Sequence, residues 1–210
     1  MPETAAARAP SAIGVTGVVL AGGQGSRMGG VDKGLQPFRG KPMVAHAIER
    51  LAPQVEALLV NANRNPDAYG KFGARVIADE IAGFAGPLAG FERGLAHATS
   101  EWVATVPCDS PFLPADLVAR LRSALEAGDA DLAVARTGAQ PHPVFCLMRR
   151  SLHASLRDYL ASGERKIDRW YRSLAVVEVA FDDEPDAFLN INTREELVHL
   201  EPRGNFPPHP

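Results

Sequence analysis

Between Gly22 and Lys33 the chain carries Gly22, Gly23, Gly25, Arg27, Gly29, Gly30 and Lys33, directly after the apolar run Val15–Leu20. Glycines can take positive φ and let a ligand approach bare backbone, so successive N–H groups can converge on an anion. Arg27 and Lys33 add the positive charge that a triphosphate requires. The spacing is not that of the dinucleotide fingerprint, because after Gly23 and Gly25 the next small residue would have to fall at Met28. Nor does a Gly-Lys-Ser/Thr triplet close the segment, as a Walker A loop demands. The residues describe a phosphate-binding loop of another kind, set at the end of a strand.

A second group follows the apolar run 102–106, where Pro107, Cys108, Asp109, Ser110, Pro111 and Phe112 put a carboxylate at the end of another strand. Open α/β sheets bind ligands there. A carboxylate so placed suits Mg²⁺, a hard ion commonly shared between one or two carboxylates and substrate phosphates. Alone, Asp109 also reads as a turn cap before Pro111; beside a Lys-bearing glycine loop the metal reading is the better one. Together the parts describe nucleotidyl transfer, with amides, Arg27 and Lys33 steadying phosphates and Asp109 carrying Mg²⁺. Phosphoryl chemistry rests on positioning and electrostatics, so no protein nucleophile is needed. Cys108 then reads as a small packed residue, since no partner His is indicated.

The elements that must position these groups alternate along the chain. Val15–Leu20, Arg75–Ile77 and residues 57–60, 102–106 and 131–135 read as strands, several nearly continuous in apolar residues as in a parallel sheet covered on both faces. Met43–Leu51 and residues 67–72, 88–97 and 114–127 read as helices. That rhythm predicts an α/β fold, a Rossmann-like three-layer sandwich with a mostly parallel, doubly wound sheet. Beyond it, residues 143–147 and Val176–Ala180 suggest further strands, and 151–161, 166–173 and 193–200 helices, the last opened by a Thr193/Glu196 capping box.

With 210 residues, one domain over 15–201 is expected, flanked by loose Ala- and Pro-rich tails at 1–14 and 202–210. A net charge of −3 gives no electrostatic case for nucleic acid or an anionic membrane, so phosphate binding must be local. The two cysteines form no C-x-x-C pair and read as free thiols of a reducing compartment. Without a leader or a membrane span, the expected location is cytoplasmic.

Read in order, Leu20-Ala21-Gly22-Gly23, Arg27-Met28-Gly29-Gly30, Asp32-Lys33-Gly34, the stretch from Asn61 to Asn65, Gly86-Pro87-Leu88-Ala89-Gly90, Pro107-Cys108-Asp109 and Asn190-Ile191-Asn192-Thr193 strongly resemble the molybdenum cofactor guanylyltransferases. The resemblance spans nearly the whole chain and implies a fold of the nucleotide-diphospho-sugar transferase type. It implies that the terminal phosphate of molybdenum-bound molybdopterin attacks the α-phosphate of GTP, giving the guanine dinucleotide cofactor and pyrophosphate. Leu20, Ala21 and Gly22 would contact the nucleotide; Lys33, Asn61, Asp79 and Asp109 would form the GTP site, with Asp109 also holding Mg²⁺. Gly86 and Gly90 would border the ligand, and Asn190 and Asn192 would face the acceptor. It further implies protein partners: the molybdenum-insertion protein upstream, and the apo-molybdoenzyme or its chaperone downstream.

The residues themselves leave some of this open. Asn61 and Asp79 could equally form turns, and Pro87 could simply start a helix. Which residue reads the base is not visible. His142, Arg165 and Lys166 could lend charge to the acceptor pocket or be ordinary surface residues. A near alternative is another nucleotidyltransferase on the same framework, a related molybdopterin cytidylyltransferase or a sugar-phosphate nucleotidyltransferase; the former resembles Leu-Ala-Ala-Gly at the loop start, whereas this chain has Leu20-Ala21-Gly22-Gly23 and Asn61-Ala62-Asn63-Arg64. A dehydrogenase would need the fingerprint spacing that is missing, and a catalytically silent regulator would commonly lack Lys33 or Asp109, both present here.

Overall fold

A computed structural model describes residues 13–23, 31–80, 86–191 and 196. In chain order they form β1 (Val15–Leu20), the short hairpin strands β2 (Pro37–Phe38) and β3 (Lys41–Pro42), α1 (Met43–Leu51), β4 (Ala57–Asn61), α2 (Pro66–Gly70), β5 (Arg75–Ile77), α3 (Pro87–His97), β6 (Trp102–Pro107), α4 (Leu117–Glu126), β7 (Leu132–Thr137), β8 (Gln140–Arg149), α5 (His153–Ala161), α6 (Ile167–Tyr171) and β9 (Val176–Ala180). Among the described residues the main sheet has seven strands in the order β5-β4-β1-β6-β8-β7-β9. β1 pairs in parallel with β4 and β6, β4 with β5, and β7 with β9. β8 runs antiparallel to both neighbours.

Side chains on each strand alternate between two apolar layers, as the two-residue strand period requires. Val15 and Val19 of β1, Ala104 and Val106 of β6 and Phe145 and Leu147 of β8 pack in one layer with Val44, Ile48 and Leu51 of α1 and Leu117, Leu121 and Leu125 of α4. Val18, Val103, Cys146 and Met148 face the other way, against Leu88, Phe91 and Leu95 of α3, Leu156 and Leu160 of α5 and Trp170 of α6. This is the three-layer α/β sandwich expected from the sequence, and burial on both faces explains the near-continuous apolar strands.

Two features depart from the expected pattern. The segment read as residues 143–147 is a longer strand that returns antiparallel from β7 through a two-residue turn with Gly138 at φ +54°. The β2–β3 hairpin was not foreseen; strands of two residues, both containing proline, carry no periodicity. Of the expected tails, residues 1–12 and 202–210 lie outside the described residues, as does the Thr193 capping box. Ile13 and Gly14 are tied down: Gly14 N–H donates to Glu56 Oε2 at 2.7 Å, and Arg122 donates to the Ile13 carbonyl at 2.6 Å. No helix among the described residues is long and apolar enough to cross a membrane.

Candidate active site

From β1 the chain winds outward through β4 to β5, then returns to lay β6 on the other side of β1. Where strand order reverses in this way, the connections diverge and leave a crevice at the carboxyl ends of the strands. Here that crevice is a cleft of about 660 Å³. It is lined by Leu20, Ala21, Gly22 and Gly23 after β1, by Asp32 and Lys33, by Asn61 at the end of β4 and Asp79 after β5, by Gly86 and Pro87 at the start of α3, by Pro107, Cys108 and Asp109 after β6, and by Asn190. Backbone hydrogen bonds lock the strand ends together, Ala21 N–H to the Asn61 carbonyl at 2.7 Å and Cys108 N–H to the Leu20 carbonyl at 3.0 Å.

Lys33 and Asp109, far apart in sequence, meet in this cleft with Nζ 3.5 Å from Oδ2. Burial pushes the Asp109 carboxyl above its ordinary pKa of 3.8, and Lys33 pulls it back down. Lys33 is held by its neighbour: Asp32 accepts hydrogen bonds from the buried Tyr69 hydroxyl and from Asn65 Nδ2, the latter at 3.0 Å. Burial drives the Tyr69 pKa far up, so the hydroxyl remains a donor. On the other side, the Asp109 carbonyl accepts Ile191 N–H at 2.9 Å and the buried Ser110 hydroxyl donates to Asn190 Oδ1, docking Asn190 against the turn that carries Asp109. Cys108 is buried beside them, which raises its thiol pKa well above 9.0 and leaves it a packed, protonated residue.

Asn61, Asn63 and Asp79 form a second network at the cleft. Asp79 Oδ1 accepts Asn61 Nδ2 at 2.8 Å, and Oδ2 accepts Asn63 Nδ2 at 2.7 Å. Asn61 is itself buried and pressed against two glycines. A Cβ on Gly22 would lie 3.1 Å from Asn61 Oδ1, and one on Gly90 would lie 2.5 Å from that oxygen and 2.6 Å from Leu20 Cδ2. This corrects the conformational reading of the loop glycines: Gly22 and Gly23 do not have positive φ, and at Gly22 the need is close approach. Gly86 is where a positive φ occurs, at +66° with ψ −157°, as the residue before α3. Such a conformation is essentially restricted to glycine, and it sets the start of α3 at the cleft, where Gly86 and Pro87 line it.

Of the residues singled out in the sequence, the cleft brings together Leu20, Ala21, Gly22, Gly23, Lys33, Asn61, Asp79, Gly86, Asp109 and Asn190. Gly90 is buried one turn into α3 and does not line it; its place is beneath Asn61. Arg27 and Asn192 lie outside the described residues, as do Gly25, Gly29 and Gly30. His142 stacks on Phe188 at 4.5 Å and shares a 2.8 Å hydrogen bond with Thr137, while Arg165 donates to the Leu160 carbonyl. Sequence reasoning missed Asp32, Asn63 and Ser110 as individual site residues, although each sits inside a quoted motif or beside one.

Gly90→Ala tests the packing beneath Asn61. The added methyl must displace Asn61 or Leu20, which should lower stability by roughly 1–3 kcal/mol in chemical denaturation and weaken nucleotide binding in the same preparation. Unchanged stability would show that α3 has room the geometry denies.

The MobA-like NTP transferase domain family matches residues 17–178. A molybdenum cofactor guanylyltransferase from Cupriavidus necator is 54% identical over 194 residues, covering 90% of this chain and 97% of its own. A molybdopterin-guanine dinucleotide biosynthesis protein A from Archaeoglobus fulgidus superposes with a TM-score of 0.73 at 26% identity, over 89% of this chain and 97% of that one. A Mycobacterium tuberculosis protein solved in complex with manganese shares the fold, with a TM-score of 0.64 at 18% identity over 90% of this chain and 98% of that one. Identity at that level over that length makes this chain a member of the molybdenum cofactor guanylyltransferase family.

Proposed function

We propose that this protein transfers GMP from GTP to the terminal phosphate of molybdenum-bound molybdopterin, forming the guanine dinucleotide cofactor. An oxygen of the pterin phosphate forms a bond to the α-phosphorus of GTP, the bond from that phosphorus to the bridging oxygen breaks, and pyrophosphate leaves with the electron pair. The observation that carries the reading is the meeting of Lys33 and Asp109 in one cleft with Asn61 and Asp79. Lys33, the amides after β1 and Arg27 steady the phosphates and the leaving pyrophosphate. Gly86 and the start of α3 border the ligand, and Asn190 and Asn192 face the acceptor. An ionised carboxylate accepts two hydrogen bonds at once, and guanine offers N1–H and N2–H side by side where cytosine does not; the Asp79 carboxylate suits that pair.

A divalent cation fits the donors. Asp109 supplies hard carboxylate oxygens at the cleft. That suits Mg²⁺, which keeps few protein ligands and shares substrate phosphates. Bound there, it would offset charge on the reacting phosphates. Buried, unpaired Cys108 and Cys146 suit the reducing cytoplasm, and the labile product implies handover between a molybdenum-insertion protein and a molybdoenzyme or its chaperone.

Calorimetric titration with GTP, CTP, ATP and UTP in Mg²⁺ tests the reading without handling the pterin. Selective binding of GTP is expected. Preference for CTP would move the protein to the cytidylyltransferases.

A further inference from the structure

We propose that Asn63 is a positioning residue for the nucleotide site, holding the Asp79 carboxylate and the loop start at Gly22 in one arrangement; this rests on the guanylyltransferase reading of the cleft. The parallel pairing of β4 with β5 puts Asn61 opposite Ile77. Two residues further along each strand, Asn63 and Asp79 therefore emerge side by side, and the side chain of one closes on the whole of the other. Asn63 Oδ1 accepts the Asp79 backbone N–H at 2.8 Å, and Asn63 Nδ2 donates to Asp79 Oδ2 at 2.7 Å. The same Nδ2 reaches the Gly22 carbonyl at 3.4 Å, and the next residue, Arg64, donates to the Gly23 carbonyl at 3.2 Å. Three loops, after β1, β4 and β5, are thus fastened at one amide.

The amide matters because of where the two carboxylate oxygens point. Asn61, buried under α3, fixes Oδ1 from the core side, and Asn63 fixes Oδ2 from the solvent side. A carboxylate held at one oxygen only can swing about its Cα–Cβ and Cβ–Cγ bonds, and each rotamer it visits must be given up again when a base binds. Held at both, it keeps a lone pair on each oxygen turned toward whatever enters the cleft. Asn63 itself is not among the residues lining the cleft, so its effect passes through Asp79 and Gly22.

The test is a double-mutant cycle read by GTP titration and steady-state kinetics on the full chain. Asn63→Ala should weaken GTP binding by about 10-fold, the scale of a hydrogen bond to a charged group, and raise KM while kcat changes little, because the Lys33–Asp109 pair is untouched. In an Asp79→Ala background the same change should have almost no further effect on affinity. Asn63→Asp, which sets one carboxylate against another, should lose more affinity than Asn63→Ala and lower the thermal midpoint; adding Asp79→Asn should recover the midpoint by restoring an amide–carboxylate pair but not the affinity, because the carboxylate that suits guanine is then gone. Equal losses from Asn63→Ala in both backgrounds, or no loss in either, would overturn the positioning role. A wild-type protein that binds no GTP would overturn the reading of the cleft as well, so the two failures are distinguishable.

Discussion

Asp109→Asn is expected to lower GMP transfer by on the order of 10²–10³-fold, the scale on which removing one preorganised electrostatic group acts in related chemistry, while leaving the protein folded. The amide keeps the shape and loses the charge. What it removes is the one acid at the end of β6 that faces Lys33 across the cleft, held there by the Ile191 N–H and the Ser110–Asn190 contact on either side. Pyrophosphate release at saturating GTP, Mg²⁺ and pterin reads the chemistry; a variant that retains full transfer would remove Asp109 from it. The accompanying change in stability has a definite sign. Burial raises the Asp109 pKa above 3.8 in the folded protein. An acid of that kind favours folding fully below its unfolded pKa and loses the contribution as pH climbs through the folded value. At neutral pH the ionised side chain therefore weakens the fold, and in EDTA the Asn variant should melt at the same temperature as the wild type or higher, the gap closing below 3.8. Loss of activity with gained stability is the mark of a group kept for function.

How far such a site can be read from sequence depends on whether its parts are local. β1 and α1 are legible to the residue, as Val15–Leu20 and Met43–Leu51, because each is a run of apolar residues with the period its burial demands. The fourth helix was expected to open at Pro114 but begins at Leu117; the Pro114 carbonyl instead accepts Gln54 Nε2 at 2.8 Å, a contact across 60 residues that no local pattern announces. The direction of β8 is hidden for a related reason, since a strand buried on both faces reads the same way up or down the sheet. Its turn did leave a signal in Gly138. The β2–β3 turn left a weaker one, because Arg39 occupies a positive-φ position, at +48°, that glycine or asparagine more commonly fills. Within the site, the glycine loop and Asp109 announce themselves by residue type at strand ends, and Lys33 as the cation that follows the glycines. Asn63 does not: its partner is fixed by the register of β4 on β5, and a one-residue slip would send it to the other face.

Lys33→Met should damage the protein in a different way from Asp109→Asn, and the difference identifies what the pair does. Transfer should again fall by on the order of 10²-fold or more, since the reading proposed above has Lys33 steady the phosphates. Stability should move in the opposite direction. Lys33 is the strongest influence opposing the burial of Asp109; without it the carboxyl pKa rises further, and at neutral pH the fold carries a desolvated charge with no counter-ion. With side chains 20% and 14% exposed, water screens part of the penalty, and a loss of roughly 1–3 kcal/mol is expected rather than the larger figure for a fully buried pair. That loss should fade on acidification as Asp109 protonates, and Lys33→Met combined with Asp109→Asn should recover the thermal midpoint without recovering transfer. A double variant that melts as low as Lys33→Met alone would mean the ion pair is not the source. In the proposed reading Lys33 holds a phosphate and Asp109 a cation, so each ligand competes for a group that the pair already engages. Mg²⁺ alone must compete with Lys33 for Asp109. Calorimetry should therefore show Mg²⁺ without nucleotide binding more tightly to Lys33→Met than to the wild type even as GTP binds more weakly. Parallel losses for both ligands would show instead that Lys33 shapes the cleft and does not gate it.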